Sequence, residues 1–441
     1  MKKILLFVLV VILSISIAAT LSVTGCKKEA IPAVEEVEEE AAPAEEAVEE
    51  EVAPAEIVEI NYLTWRTGVE GYDTALVSAF EAKYPNIKVN FIGVQGVEEY
   101  VQTQKTRLLT EVNLDITSIR EETIKDYVGA GYLADITGES FLGNLKEGTL
   151  ERITVDGKVY GIPSSINLIG VWYNKELFEK VGVSIPKNWG EFLSVCDKFK
   201  SEGYTVLANG SLDVWPTQFD IYPYIHKLIV EDPKIFEKIK SGEVKYTDPI
   251  FVDAFKSIDE FYKKGYVSKD VLSIGYADSA MLFINQEVPM VLHGEWFGSA
   301  IVNALGDSEP NFTIGVFPMP TPDIDEPVIP LTVGVYEAVV ENSPHKAEAM
   351  KFLEFLASVE GSQIIADYMK GFTPVIGVKV SHPLAKLFEP LMEYPIANFF
   401  YSEQTPAANA EFNKGLQDLV VGKITPEQLA ERVQKAQEGV E

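Results

Sequence analysis

The sequence contains few of the residues that build metal centres, disulfide frameworks or nucleic-acid surfaces. Of 441 residues only two are cysteine, Cys26 and Cys196, and they stand 170 positions apart. The four histidines lie at no spacing typical of metal ligands, so we expect no zinc site, no disulfide framework and no cofactor. Basic residues are also scarce, 37 against 67 acidic ones, and the net charge of −30 disfavours a nucleic-acid partner.

The chain is otherwise rich in material for a folded core. Hydrophobic residues make up 46% of it and aromatic residues 11%, which excludes a mainly disordered protein and suggests two or three globular units. The acidic charge is unevenly spread, because residues 27–56 carry −10 and residues 57–441 carry −22. The folded part is therefore acidic in its own right.

The first 25 residues are typical of an export signal. Lys2 and Lys3 precede an apolar run over residues 4–19, and the small residues 23–25 stand directly before Cys26. This pattern resembles a bacterial lipoprotein signal, which implies cleavage before Cys26 and lipidation of its thiol. The alternative is an ordinary signal anchor with an incidental cysteine. Both interpretations predict export, and the first predicts a lipid anchor on the outer face of the cytoplasmic membrane, periplasmic or cell-surface.

Residues 26–56 form a separate region. Past Cys26 they are mainly Glu, Ala, Pro and Val, without aromatic residues or glycine, a composition typical of an extended linker. We expect a tether that holds the folded part away from the membrane. A short surface helix of Glu and Ala is the alternative.

From residue 57 onward the pattern predicts βα units. Residues 57–91 show a strand, helix, strand order, which favours a βαβ unit with a parallel sheet, and residues 114–119 predict a further strand. Ligands of such sheets bind at the carboxyl ends of the strands. The loops at 65–71 and 120–123 are therefore candidate binding loops.

Two helix starts and one buried thiol are predicted from local patterns. Ser343-Pro344 and Thr425-Pro426 place an N-cap residue before a proline at the first helical position, and Gln428 completes a capping box in the second case. Cys196 lies at helical spacing among aromatic residues, which indicates a buried apolar thiol and not a nucleophile.

Seven motifs follow one another in the order typical of a known family. They lie at residues 161–165, 172–178, 186–189, 283–296, 343–356, 371–374 and 425–437. Together they resemble the extracellular solute-binding proteins of sugar ABC importers, the maltose-binding-protein-like receptors, in their lipoprotein form. The resemblance covers nearly the whole of residues 57–441.

The resemblance implies an α/β, type II periplasmic-binding-protein fold. Two lobes, each a mixed and mostly parallel sheet flanked by helices, are joined by three chain crossings, and the ligand lies in the cleft between them. The crossings would fall near residues 163–166, 330–334 and 375–378. Lobe 1 would then hold residues 57–164 and 334–376, and lobe 2 residues 165–333 and 377–441.

Chemistry and the resemblance together predict twelve ligand-binding residues. Sugars present hydroxyl groups to polar side chains and C–H faces to aromatic rings. The predicted set is Trp65, Arg66, Gly68, Glu70, Arg120, Glu122, Thr123, Asn167, Trp215, Glu295, Trp296 and Asn409. The resemblance assigns hydroxyl contacts to Asn167 and the two loops, and aromatic platforms to Trp215 and Trp296. Asn409 replaces another such platform and Glu295 a usual serine or proline, so the exact sugar stays open.

The candidates also have structural alternatives. A tryptophan at a strand end is often part of the core, and we assign Trp172 and Trp189 to the core outright. Trp215 and Trp296 stand beside a proline and a glycine, which indicates loops. The two candidate arginines could be surface charges, although the chain has only five arginines.

The resemblance predicts a binding protein and not an enzyme. It would capture a sugar, an oligosaccharide or disaccharide, by hinge closure and deliver it as a monomer to the membrane subunits of an ABC permease. A surface glycoside hydrolase is an alternative, since it needs two carboxylates about 5–10 Å apart and the sequence leaves open a pair among Glu70, Glu122 and Glu295. A sugar receptor that presents its ligand to a signalling protein is the other alternative.

Overall fold

The computed structural model describes residues 56–110, 113–306 and 308–439. The predicted signal peptide, the lipidation site Cys26 and the tether up to residue 55 lie outside the described residues. All seven family motifs lie inside them.

The described residues contain eleven strands and fifteen α-helices. The strands are β1 Val58–Thr64, β2 Ile87–Gly93, β3 Ile116–Ile119, β4 Thr154–Val155, β5 Lys158–Val159, β6 Ile162–Asn174, β7 Leu207–Ala208, β8 Met290–Gly294, β9 Ile314–Phe317, β10 Ile329–Val339 and β11 Ile396–Ala397. The α-helices are α1 Tyr72–Lys83, α2 Val97–Thr110, α3 Ile124–Gly129, α4 Lys175–Val181, α5 Trp189–Ser201, α6 Tyr222–Glu231, α7 Ile235–Ser241, α8 Pro249–Lys263, α9 Tyr276–Ile284, α10 Phe297–Leu305, α11 Lys346–Leu356, α12 Val359–Met369, α13 Pro383–Lys386, α14 Pro406–Val420 and α15 Pro426–Glu438. Short 3₁₀ turns occur at Glu121–Thr123, Ser140–Asn144, Glu151–Ile153, Ser211–Asp213, Trp215–Ile221, Val271–Ser273, Glu389–Glu393 and Phe400–Glu403.

The strands form one mixed sheet and a separate hairpin. The sheet order is β2-β1-β3-β10-β6-β8-β7, with β9 beside β6 and β11 beside β10, while β4 and β5 make the hairpin. β1 pairs in parallel with both β2 and β3, so the predicted βαβ unit with α1 as its crossover is confirmed. β10 runs antiparallel to both β3 and β6.

Two long strands connect the two halves of the sheet. β6 has 13 residues and β10 has 11. The first part of β6 pairs with β10, and its residues 169–174 pair with β8 and β9. Apolar clusters lie on either side of this junction. Two are built from residues 60–162 and 336–375, and two from residues 166–329 and 388–433 together with Phe372.

The local predictions have mixed outcomes. Thr425 caps α15 in a complete capping box with Gln428, as predicted. The predicted cap at Ser343 is wrong, because α11 begins at Lys346 with His345 as its N-cap. The Ser343 hydroxyl instead donates to the buried Asp115 carboxylate at 2.6 Å and accepts from the His345 N–H at 3.0 Å. A strong carboxylate acceptor inside the fold thus overrides the local capping preference.

The residues assigned to the core lie in or against it. Cys196 and Trp172 are fully buried, and burial raises the pKa of the Cys196 thiol, as expected of a structural cysteine. Trp189 is half-buried, and its ring packs against Phe192 at 5.4 Å and Tyr224 at 5.3 Å between ring centroids.

Candidate functional site

Two loops meet at one edge of the sheet. β1 and β3 are parallel neighbours, with Leu63 opposite Thr117, so their carboxyl ends lie side by side. The loop after β1 carries Arg66, and the turn after β3 carries Arg120. Because ligands of open sheets bind at such ends, this edge is the candidate site.

Arg66 is buried in an ion pair that the sequence did not reveal. Its Nη1 lies 3.6 Å from Oε1 of the fully buried Glu337 on β10. The hydroxyl groups of Ser118 and Ser164 donate to the same carboxylate at 2.7 and 3.1 Å. Burial raises the pKa of Glu337, and the charge of Arg66 opposes that rise. A single acid inside the apolar strand run of residues 333–340 was the available sequence signal, since unpaired acids are rarely buried.

The loop after β1 borders a surface cavity of about 530 Å³. Residues 66–73 line it together with Phe91 and Gly93. Gly68 and Gly71 both have φ of +76°, a left-handed conformation that favours glycine and lets the chain turn sharply here. Glu70 is exposed on this loop, and the amide of Asn303 on α10 donates to the Gly68 carbonyl at 3.1 Å.

The side chain of Trp65 lies partly in the core and partly at the surface. It is half-buried, and its ring meets that of the buried Tyr100 edge-on at 4.8 Å. One side of the indole thus packs as the core alternative expects.

Arg120, Glu122 and Thr123 form one compact group. The Arg120 Nε–H donates to Glu122 Oε1, and the Thr123 hydroxyl donates to the Arg120 carbonyl at 2.9 Å, which closes the turn. The second carboxylate oxygen of Glu122, Oε2, is buried and has no hydrogen-bond partner in the described structure. The guanidinium of Arg120 also lies 5.3 Å from the ring centroid of Tyr401.

Glu121, next to this group, is a residue that sequence reasoning missed. Its Oε2 accepts from the hydroxyls of Ser402 at 2.8 Å and Thr332 at 3.2 Å, and its Oε1 lies 3.3 Å from Arg152 Nη1. Burial raises its pKa to about 7, against the lowering effect of Arg152 and the two hydroxyls. Glu121 and Glu122 are adjacent in sequence, and no sequence pattern indicates which of the two carboxylates contacts Arg120 and which contacts Arg152.

Arg152 and Lys240 extend this polar cluster. Arg152 donates to Glu403 at 2.7 Å, and Lys240 contacts the other oxygen of Glu403 at 2.6 Å. The cluster therefore ties the turn after β3 to the 3₁₀ turn Phe400–Glu403.

The two predicted aromatic platforms lie together. The ring centroids of Trp215 and Trp296 are 6.4 Å apart, and both rings pack edge-on against His293. His293 is buried, which lowers its pKa to about 3 and keeps it neutral. Gly294 is required beside it, because a Cβ there would lie 2.0 Å from the Trp296 ring.

A row of aromatic rings links these platforms to Arg120. Trp296 contacts Phe399 at 6.4 Å between centroids, and Phe399 contacts Tyr401 at 5.6 Å. Tyr401 then lies under the Arg120 guanidinium. Phe399 and Tyr401 are further residues that sequence reasoning missed, since a run of aromatics before a helix is equally typical of core.

Three other predicted residues, Glu295, Asn409 and Asn167, contact parts of the protein outside the group around Arg120. Glu295 is buried, accepts from the Leu168 N–H at 2.8 Å, and has its pKa raised to about 8 by desolvation. Asn409 is buried in α14, where it accepts from Asn413 at 2.7 Å. Asn167 stands opposite Thr332 in the β6–β10 ladder, at the junction of the two sheet halves.

The described residues offer neither a metal cluster nor a membrane-spanning helix. No group of three or more His, Cys, Asp or Glu side chains there is placed to hold a metal ion. No helix of that part of the chain is both long and apolar enough to cross a membrane.

A comparison with protein families identifies the chain. The model of the bacterial extracellular solute-binding protein family matches residues 67–363, which is more than half of the chain. The chain belongs to this family. The membership predicted from the seven motifs is thereby confirmed.

Two relatives are similar to this family member over most of its length. The multiple sugar-binding protein of Streptococcus mutans is 24% identical over 345 residues, which are 75% of this chain and 79% of that protein. An uncharacterised ABC transporter extracellular-binding protein of Pyrococcus horikoshii is 27% identical over 334 residues, 71% of this chain and 70% of that protein. Both are named as binding proteins and not as enzymes.

Solved structures of binding proteins have the same fold. A chitin oligosaccharide binding protein gives a TM-score of 0.77 at 22% identity, covering 87% of this chain and 99% of that one. The solute-binding protein RafE in complex with raffinose gives a TM-score of 0.71 at 23% identity, with the same shares of the two chains. The predicted fold class, a mixed α/β type II solute-binding-protein fold, is confirmed, while the lobe boundaries stay a prediction.

Proposed function

We propose that this family member is the substrate-binding protein of an ABC importer and that it captures a sugar in a cleft between two lobes. The observation that carries the proposal is the row of rings from Trp215 and Trp296 through Tyr401, which ends at the Arg120–Glu122 pair. Such a surface offers flat aromatic faces to sugar C–H groups and polar atoms to sugar hydroxyls. The names of the relatives and solved neighbours support the same ligand class.

The proposed lobes are residues 57–164 with 334–376, and 165–333 with 377–441. The long strands β6 and β10 would then serve as hinge segments, because each pairs with strands on both sides of the junction. A ligand that touches both lobes binds the closed form better and shifts the population toward it. In this proposal the contacts of Glu121 and Arg152 with the Phe400–Glu403 turn are lobe-to-lobe contacts of a closed form.

Two details of the predicted site fit this proposal less directly. Glu295 is bound to the Leu168 backbone, so we propose for it a role in holding the hinge region rather than the sugar. Asn409 is bound to Asn413, so its share in ligand binding would require rotation of that pair. With Glu295 used in this way, a hydrolytic carboxylate pair that includes it is disfavoured.

Export and anchoring complete the proposal. The family is extracellular, and we propose lipidation at Cys26 and delivery of the sugar, by a monomer, to the transmembrane subunits of the permease. The acidic tether of residues 26–56 would give the receptor reach from the membrane.

Ligand identification tests the proposed function. Native mass spectrometry of the purified chain should reveal a retained sugar, and calorimetry should then give saturable binding of the same sugar. Raffinose, stachyose, chitin oligosaccharides and maltodextrins form a first panel. Trp296→Ala should weaken the binding, whereas Trp189→Ala, at the edge of the core, should not. A retained ligand that is not a sugar, with no sugar bound, would contradict the proposal.

A further inference from the structure

Three of the five arginines lie around the candidate site, and each contacts a carboxylate of the same chain. Arg66 pairs with Glu337, Arg120 with Glu122, and Arg152 with both Glu121 and Glu403. Arginine is the side chain best suited to bind ligand carboxylate, sulfate or phosphate groups. Here the charge of each is already compensated before any ligand arrives.

Acidic side chains outnumber basic side chains around the site. Glu403 has a second basic partner in Lys240, but Glu70 and Asp73 add two exposed carboxylates at the rim of the cavity beside Arg66. An anionic ligand would therefore have to approach several carboxylates without an uncompensated arginine to receive it. Like charges placed close together in a poorly solvated cleft repel strongly.

Three buried atoms of these pairs, Arg66 Nη1, Glu121 Oε1 and Glu122 Oε2, have no hydrogen-bond partner in the described structure, but the first two lie 3.6 and 3.3 Å from an opposite charge. The third indicates the kind of ligand group that fits. Glu122 Oε2 is an acceptor without a hydrogen-bond partner in the described structure. A buried acceptor in this state gains from a ligand that brings a donor. A sugar hydroxyl can donate to it, whereas an ionised carboxylate or sulfate group at the same position has no proton to donate and is repelled by the charge of Glu122.

We propose that the sugar taken by this site carries no anionic group, so that uronic, sulfated and phosphorylated sugars are excluded. This inference rests on the proposed function and narrows it to one substrate class. It assigns the excluding role to Glu122 and Glu403, which hold Arg120 and Arg152 away from a ligand anion. The neutral hydroxyls are then held by Glu122 and the guanidinium of Arg120, with the rings of Tyr401 and Trp296 beneath the sugar.

A glycan array probed with the full chain tests the inference. The array should carry neutral oligosaccharides and their uronic, sulfated and phosphorylated counterparts. We expect binding to neutral members only. In calorimetry, the acidic counterpart of a bound neutral sugar should bind at least tenfold more weakly, which corresponds to about 1.4 kcal/mol. Affinity for the neutral sugar should be nearly independent of salt.

A variant tests whether the carboxylates cause the exclusion of acidic sugars. Glu122→Gln removes the partner charge of Arg120, so the ratio of neutral to acidic affinity should shrink severalfold. Glu427→Gln, which removes an exposed glutamate of α15 that pairs with Lys256, is the matched control and should leave the ratio unchanged. Equal or tighter binding of an acidic sugar would overturn the inference and leave sugar binding intact. An array without any bound glycan would instead remove the proposed function, and the inference with it.

Discussion

Arg152 donates a hydrogen bond of 2.7 Å to Glu403 across 251 positions of sequence. The pair lies beside the Ser402–Glu121 bond, which spans 281 positions. In the proposed lobe division both contacts join lobe 1 to lobe 2. Opening of the cleft would therefore have to break them, and they would favour the closed form.

Glu403→Gln tests this relationship. The substitution removes the ion pairs with Arg152 and Lys240, and we expect sugar affinity to fall about two- to fivefold, because partly exposed pairs are worth about 0.5–1 kcal/mol. Without ligand, small-angle scattering of a chain lacking the tether should show a larger radius of gyration. Glu427→Gln, which removes an exposed pair between α15 and Lys256 on α8, is the control. An unchanged radius and affinity in Glu403→Gln would show that the contacts do not hold the lobes.

The fold was predictable where the signals are local. The strand, helix, strand order of residues 58–93 follows from periodicity and was correct. The position of β10 between β3 and β6 was not predictable from periodicity, because its partners lie far away in sequence and its antiparallel direction depends on the whole topology. The Ser343 cap failed for the same reason, since its competitor Asp115 lies 228 positions away.

Glu295 gives a prediction for pH. Desolvation raises its pKa to about 8, so the folded state binds a proton that the unfolded state releases near pH 4.5. The unfolding free energy should then fall as the pH rises from about 4.5 to about 8. Glu295→Gln keeps an acceptor for the Leu168 N–H and cannot titrate. The unfolding free energy of this variant should therefore fall less over this pH range than that of the wild type. The difference should be on the order of a few kcal/mol.

Denaturant titrations at pH 5, 7 and 9 provide the measurement. Glu243→Gln serves as the control because that carboxylate is exposed, and its curve should follow the wild type. Sugar affinity at pH 7 should survive in Glu295→Gln if the residue anchors the strand. If Glu295→Gln instead lost most of its sugar affinity and kept the wild-type dependence of stability on pH, Glu295 would be assigned to ligand binding.

Trp296 should carry a large share of the affinity. If about 100 Å² of apolar surface is buried against the sugar, ~25 cal/mol per Å² gives roughly 2.5 kcal/mol. Trp296→Ala should weaken binding by one to two decades at about 1.4 kcal/mol per decade. Because its ring also packs on His293 and Phe399, we expect a moderate loss of thermal stability. Calorimetry of binding and of unfolding separates the two effects, and Trp189→Ala should lose stability alone.

The site could be predicted in part. Arg66 and Arg120 could be predicted as site residues because they follow the ends of two strands. The direction and parallel pairing of those strands follow from local sequence patterns. Their partners Glu337 and Tyr401 come from distant segments, and only the fold brings them within 3.6 Å and 5.3 Å. Charge compensation at the site therefore could not be inferred from the sequence, although it decides which ligands are excluded.

Cys26 provides a prediction about anchoring. In a host with lipoprotein processing, the wild-type chain should incorporate labelled fatty acid and remain with the membrane fraction. Cys26→Ser should lack the label, because the thiol that receives the lipid is gone. Cys196→Ser is the control, since that cysteine is buried in α5. A wild-type chain without label would contradict lipid anchoring.

The Arg66–Glu337 pair predicts a strong coupling in stability. Glu337→Gln leaves the buried guanidinium of Arg66 without its counter-charge, which should cost about 3–5 kcal/mol of unfolding free energy. Arg66→Met leaves the Glu337 carboxylate buried with only its hydroxyl donors and should also be strongly destabilising. The double variant removes both charges, so its loss should be clearly smaller than the sum of the single losses. Urea denaturation of the four proteins measures this cycle. Additive losses would mean that the two charges do not stabilise each other, and would favour the predicted role of Arg66 in direct ligand binding.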